Sequence, residues 1–203
     1  MKYWTERITQ EQDILCKTCG LNVNQLPLWD KRHRKTDVLW VGLSAKLLKG
    51  NGEQLPLSGE TNTGKILNKI ENGLTDHTFI RTNLVKCVPL DYNNKLRYPT
   101  SKEMNFCFDN LENEISTLSP RLVILLGLKV CHFILKKIYP TKNLNEVFNY
   151  TFYDVGNTIY LPIHHPSYIH VYKRTKIDLY VTNIQKQILT LTASRNSKAF
   201  QVN

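Results

Sequence analysis

Two imidazoles, a hydroxyl and a phenol stand together in the stretch Leu161-Pro162-Ile163-His164-His165-Pro166-Ser167-Tyr168. An imidazole in such a setting can move a proton or offset a developing negative charge near neutral pH. The stretch follows Asn157-Thr158-Ile159-Tyr160, a short β-favouring run, and Pro162 and Pro166 oppose its continuation as a regular central strand. A strand ending in a stiff turn at the rim of a sheet is therefore expected. Beyond it come His170, Tyr172, Lys173, Arg174 and Lys176, a mixture of rings and cations that suits a nucleic-acid backbone with bases stacked nearby. A proline-flanked histidine in a turn also serves as a satisfied structural residue, so this stretch alone does not decide between the two uses.

A second group of reactive side chains is the cysteines. In Cys16-Lys17-Thr18-Cys19-Gly20 two thiols three positions apart can reach one metal, and Gly20 permits the tight turn this needs. Zinc, an iron–sulfur cluster and a redox pair all use that spacing. No downstream C-x2-C or H-x3-H partner follows, which argues against an ordinary zinc finger. Five cysteines is an odd number, and with no secretory signal a disulfide framework is disfavoured, so metal or cluster ligation is the natural use. A third feature is the carboxylate in Ser58-Gly59-Glu60-Thr61, just ahead of a helix expected over residues 63–74. Glu60 either favours the positive end of that helix or belongs to a site. The run Asp30-Lys31-Arg32-His33-Arg34-Lys35 is either a solvated loop or a phosphate contact.

These groups need a scaffold, and the hydrophobic pattern supplies one. Val38-Leu39-Trp40-Val41-Gly42 reads as a buried strand opening into a long glycine-bearing loop, of the kind that is more often functional or disordered than idle. Phe79 to Pro89 reads as a second strand, and Pro120-Arg121-Leu122-Val123-Ile124-Leu125-Leu126-Gly127 as the clearest buried strand of all. Thr100-Ser101-Lys102-Glu103 resembles a capping box that starts a helix over residues 102–118 bearing Cys107. Helices are also expected over 128–138, with Cys131 in the core, and over 178–191. Strands alternate with helices, so the fold class is α/β, a single domain with a central, mostly parallel β-sheet covered by helices on both faces. That domain should span residues 1–193, with a polar tail over 194–203.

The whole composition narrows the partners. With 27 basic against 17 acidic residues the net charge is +10, which biases the protein towards polyanions. No run of about 18 apolar residues exists, and Met1-Lys2-Tyr3-Trp4-Thr5-Glu6 lacks the apolar core of a signal peptide. A cytoplasmic monomer without membrane contact is expected.

Several segments together carry a resemblance. Thr82-Asn83-Leu84-Val85-Lys86-Cys87-Val88-Pro89, the helix bearing Cys107, Ser119 to Gly127 and His165-Pro166-Ser167-Tyr168 resemble, in order and spacing, the iron–sulfur branches of the uracil-DNA glycosylase superfamily. The resemblance covers roughly residues 14–190. It implies a three-layer α/β fold, a hydrolase of DNA repair, and a [4Fe–4S] cluster held by Cys16, Cys19, Cys87 and Cys107. Cys131 is left over. The resemblance also implies that Gly42, Leu57 and Asn83 hold a flipped base, that Glu60 and His165 are catalytic, and that Ser167, Tyr168, Lys173, Arg174 and Lys176 hold DNA. The chain departs from the family pattern in three places. Leu43 stands where one branch has an acidic residue, Glu60 replaces an aspartate, and Leu57 replaces a stacking Phe.

Cleaving uracil from DNA makes three chemical demands that these residues match. The base must leave the stack and be read by its edge, which an amide does with one donor and one acceptor. The departing base carries negative charge that an imidazole can stabilise, and the developing sugar cation needs a carboxylate to orient or deprotonate water. Two functional readings follow: a monofunctional glycosylase acting on uracil or another deaminated base in single- or double-stranded DNA, or a glycosylase-fold protein with weak or no chemistry that binds DNA or a protein partner through the same groove.

Overall fold

Val38, Leu39, Trp40 and Val41 are apolar in succession, and all four are fully buried, because both faces of their strand are covered. Leu39 and Val41 pack with Ile80, Leu84, Val123 and Leu125 on one face, and Val38 and Trp40 pack with Leu122, Ile124, Leu161 and Ile163 on the other. The alternation is the two-residue period of a strand. The structure, a computed structural model, describes residues 19–30, 35–47, 55–140 and 150–196.

Among the described residues five strands form one sheet. They are β1 (Val38–Ser44), β2 (Phe79–Val85), β3 (Leu122–Leu126), β4 (Tyr153–Val155) and β5 (Thr158–Ile163), in the spatial order β2-β1-β3-β5-β4. All neighbours are parallel except β4, which runs antiparallel to β5. The helices are α1 (Asn62–Asn72), α2 (Ser101–Leu118), α3 (Leu128–Ile138), α4 (Pro166–Tyr172) and α5 (Ile177–Asn196). Leu111 of α2 and Ile134 of α3 fill one face of the sheet. Leu67 and Ile70 of α1, with Ile184 and Ile188 of α5, fill the other. The expected α/β class, with a mostly parallel sheet covered on both sides, is what the chain adopts.

The capping box at the start of α2 is present, with the Thr100 side chain accepting from the Glu103 N–H and the Glu103 carboxylate accepting from the Thr100 N–H. Arg97 also pairs with Glu103, and its hydrogen bonds, with those from Thr100, outweigh burial and hold the Glu103 carboxyl below its ordinary range. Helix α5 runs to Asn196, past the expected helix end at 191.

Two expectations at the histidine stretch need correction. Pro162 lies inside β5 and pairs in register with Leu125 of β3. Ile159 N–H and Ile163 C=O bond towards β3, so Pro162, one residue out of phase, turns its nitrogen towards β4. Because β4 reaches only as far as Tyr160, no ladder bond is lost, and a proline fits. The stiff turn is also shorter than expected. Only His164 and His165 separate β5 from α4, and Pro166 opens that helix, where its fixed φ and missing N–H are tolerated. Ser167 and Tyr168 therefore sit on a helix. The hairpin β4–β5, turning through Gly156-Asn157, was not anticipated, although that dipeptide before a β-favouring run is a hairpin signal.

Candidate active site

Parallel strands deliver their carboxyl ends to one rim, where ligands bind in open α/β sheets. There Gly42 of β1 is the register partner of Asn83 of β2, so residues distant in sequence become neighbours. A Cβ built on Gly42 would collide with Asn83 Oδ1 and come within 2.9 Å of Leu57 Cδ2. The missing side chain at 42 is what lets the amide and the leucine approach each other. Asn83 is 1% exposed, and its Oδ1 has no hydrogen-bond partner among the described residues. A buried acceptor left unpaired costs about 1–3 kcal/mol. Asn83 lies in the lining of a cavity of about 660 Å³, together with Leu57, Ser58, Glu60, His165 and Ser167. That volume is in the range of small-ligand pockets.

His165 is the residue through which β5 enters α4. Gly127, at φ +89 after β3, leaves room for it, since a Cβ there would come within 3.0 Å of His165 Cβ. The Ser167 N–H donates to His165 Nδ1 at 3.2 Å, and Ser167 Oγ lies 2.7 Å from the same nitrogen. A nitrogen that accepts an N–H carries no proton, so the neutral ring bears its proton on Nε2 and is a donor there. Burial pushes the His165 pKa down to about 4, which keeps the imidazole neutral at physiological pH.

The opposite wall is built by the loop before α1. Leu57 is half-buried and holds a φ of 51°, a left-handed conformation uncommon for leucine. Its carbonyl accepts from Arg81 Nη1 at 3.0 Å. Arg81 is itself fixed by a two-point ion pair with Glu71 at 2.9 and 2.8 Å and by Asn68 Oδ1 at 2.6 Å. Sequence reasoning missed this clamp, although an arginine between Ile80 and Thr82 in an otherwise apolar strand was its signal. Glu60 is exposed at the cavity rim. It does not cap α1, because Thr61 does so by accepting from the Gly64 N–H at 3.0 Å.

The remaining site residues fall in two places. Ser167 lines the cavity and Tyr168 stands beside it on α4, whereas Lys173, Arg174 and Lys176 are exposed on the turn between α4 and α5, outside the cavity wall. Cys87 and Cys107 are buried in one apolar cluster, and Cys19 packs against that cluster. Cys16 lies outside the described residues. Among the described residues no three His, Cys, Asp or Glu side chains form a metal-holding group. Cys131 belongs to the core, its thiol donating to the Leu125 carbonyl at 3.4 Å and its pKa pushed up by burial to about 12. Between Asn83 and Cys87, the fully buried Lys86 bonds Thr82 Oγ1 at 2.6 Å and pairs with Glu114, anchoring the end of β2.

Residues 32–188 match the uracil DNA glycosylase superfamily. The chain belongs to that superfamily, and a uracil-DNA glycosylase type of function follows for it in general terms. Among solved structures, its fold is similar to that of SMUG2 from Pedobacter heparinus, with a TM-score of 0.53 at 13% identity over 80% of this chain and 77% of that one. No curated protein matches the sequence. Among the described residues no helix is long and apolar enough to cross a membrane.

Proposed function

We propose that this protein is a monofunctional DNA glycosylase that hydrolyses the N-glycosidic bond of uracil, or of a related deaminated base, in DNA. The observation that carries this reading is the buried Asn83 amide, its Oδ1 without a partner among the described residues, in the lining of a cavity that His165 and Glu60 share. A flipped uracil would give its N3–H to Oδ1 and accept from Nδ2 through a carbonyl, satisfying the amide. As the glycosidic bond breaks, its electron pair goes to the base, and the Nε2–H of His165 would stabilise the resulting oxyanion. Glu60 would orient the water that adds to the sugar cation and take up its proton. Every one of these residues comes from one chain, so a monomer suffices.

Cys16, Cys19, Cys87 and Cys107 would hold a [4Fe–4S] cluster. In support, thiolates are its usual ligands, and three of the four border one apolar cluster. When bound, the cluster would tie the N-terminal segment to the end of β2 and to α2. Anaerobically purified protein should be brown and contain iron; colourless protein with stoichiometric zinc would contradict the assignment.

A second reading, a DNA-binding protein with weak chemistry, is favoured by Leu43 and Leu57, which replace an acidic and an aromatic residue of the family pattern. One experiment separates the two: labelled uracil-containing DNA is incubated with the protein and then treated with alkali. Strand breaks at the uracil position support the enzyme. Intact DNA that is nonetheless bound supports the binding protein.

A further inference from the structure

Four aromatic rings run in sequence from Tyr150, past the turn that follows β5, out to solvent. Tyr150 and His164 have ring centroids 5.6 Å apart, and the Tyr150 hydroxyl lies 2.9 Å from His164 Nδ1. His164 and Tyr168 are stacked at 5.7 Å with 22° between their planes, and Tyr168 and Tyr172 follow at 5.1 Å. Positions 164, 168 and 172 differ by four, so the residues on α4 share one face of the helix. The base of the ladder is fixed. The Tyr180 hydroxyl donates to the His164 carbonyl at 2.7 Å, and burial, with the nearby Lys173 cation, lowers the His164 pKa and keeps its ring uncharged. The outer end is open: Tyr168 is 40% and Tyr172 73% exposed.

Rings stacked into one row make a contiguous exposed patch rather than scattered single side chains, and the surroundings indicate what covers it. His164 is joined directly to His165, which lines the cavity. Lys173, Arg174 and Lys176 follow Tyr172 at once, all of them exposed. Rings beside cations, His164 among them one residue along the chain from a histidine of the cavity lining, match an unpaired polynucleotide: phosphates meet the cations and bases continue the stack. A base-paired duplex keeps its base faces stacked on one another and offers none to a ring.

We infer that His164, Tyr168 and Tyr172 form a stacking ladder for the unpaired base next to the one held in the cavity, so that the protein takes single-stranded or locally unpaired DNA. This deepens the glycosylase reading and rests on it for the choice of DNA. Binding is measured with uracil-free oligonucleotides carrying 2-aminopurine, single-stranded and as a duplex of the same sequence, so that the result does not depend on cleavage. Tyr172→Ala should lose about 5- to 100-fold in affinity for the single strand and lose the quenching of 2-aminopurine. Duplex affinity should change by less than about twofold, and Tyr172→Phe should behave as wild type. Tyr172 is largely exposed, so unchanged thermal melting is the expected control for folding. Equal losses for single strand and duplex, or an unchanged single-strand affinity, would overturn the ladder. So would tighter binding of single-stranded RNA than of DNA, or a Tyr172→Ala defect seen only with a protein ligand. Failure to release uracil with the stacking intact sinks the glycosylase reading alone, whereas Tyr172-independent cleavage of duplex uracil with no stacking sinks the ladder alone.

Discussion

The two walls of the cavity differ in how they are built. The wall formed by Asn83 and His165 belongs to strand ends: the amide is fully buried, and the imidazole is held between Gly127 and Ser167 and kept neutral by burial. The wall formed by Leu57 and Glu60 belongs to a loop: Leu57 is in a left-handed conformation clamped by Arg81, and Glu60 is exposed. Groups that read a base and absorb its charge gain from being dry and fixed, because hydrogen bonds are stronger where water is excluded. A carboxylate that handles water has to stand where water is. The difference therefore tracks the chemistry each wall would perform.

The sharpest way to break this comparison is to neutralise the wet wall. Glu60→Gln keeps the shape and should reduce single-turnover release of uracil by about 10²–10⁴-fold; unaltered release would move the role to another carboxylate, of which Glu53, outside the described residues, is the first to test. On the dry wall, His165→Ala should cost about 10²–10³-fold through lost stabilisation of the leaving base, with DNA affinity retained because phosphate contacts supply most of it.

Acid should find the dry wall as well. The His165 pKa lies below its unfolded value, so the unfolded chain takes up more protons as pH falls, and stability drops between about 6.5 and 4. His164 acts with the same sign. From pH 7 to pH 5, His165 should contribute a loss on the order of 2 kcal/mol in denaturant melts. A His165→Ala variant with an equally steep pH dependence would show that this ring is not the buried titrating group. The smallest expected effect is on the cations after α4. Alanine at Lys173, Arg174 and Lys176 should flatten the log–log salt dependence of DNA binding by about one unit per cation that meets a phosphate. An unchanged slope would place this segment away from the nucleic acid.

The strands at Val38 and Leu122 were legible because an unbroken apolar run can be satisfied only by burial on both faces. The fate of Pro162 was not, because it depends on where β4 stops, a property of another strand. Asn83, His165 and Glu60 could be named from the order of segments in the chain, but their meeting depends on the Gly42 and Asn83 register and on a glycine facing His165. The spacing of 164, 168 and 172 was in plain view. Pro166 disguised it as a turn, although proline is at home in the first turn of a helix. The Arg81 clamp and the Lys86 to Glu114 pair join residues whose contact no local pattern encodes.

The order of strands in the sheet also sets the moment at which the site can come into being. β1 and β2 are neighbours, so a chain emerging from the ribosome can bring Gly42, Asn83 and Glu60 together early. The imidazole is in place only when β3 lies against β1 and β5 against β3, and pairings so distant in sequence form slowly. A half-made chain would thus offer a slot for a base with nothing in it to absorb the base's charge. The imidazole that the proposed chemistry needs comes with β5, a strand that reaches β1 only through β3.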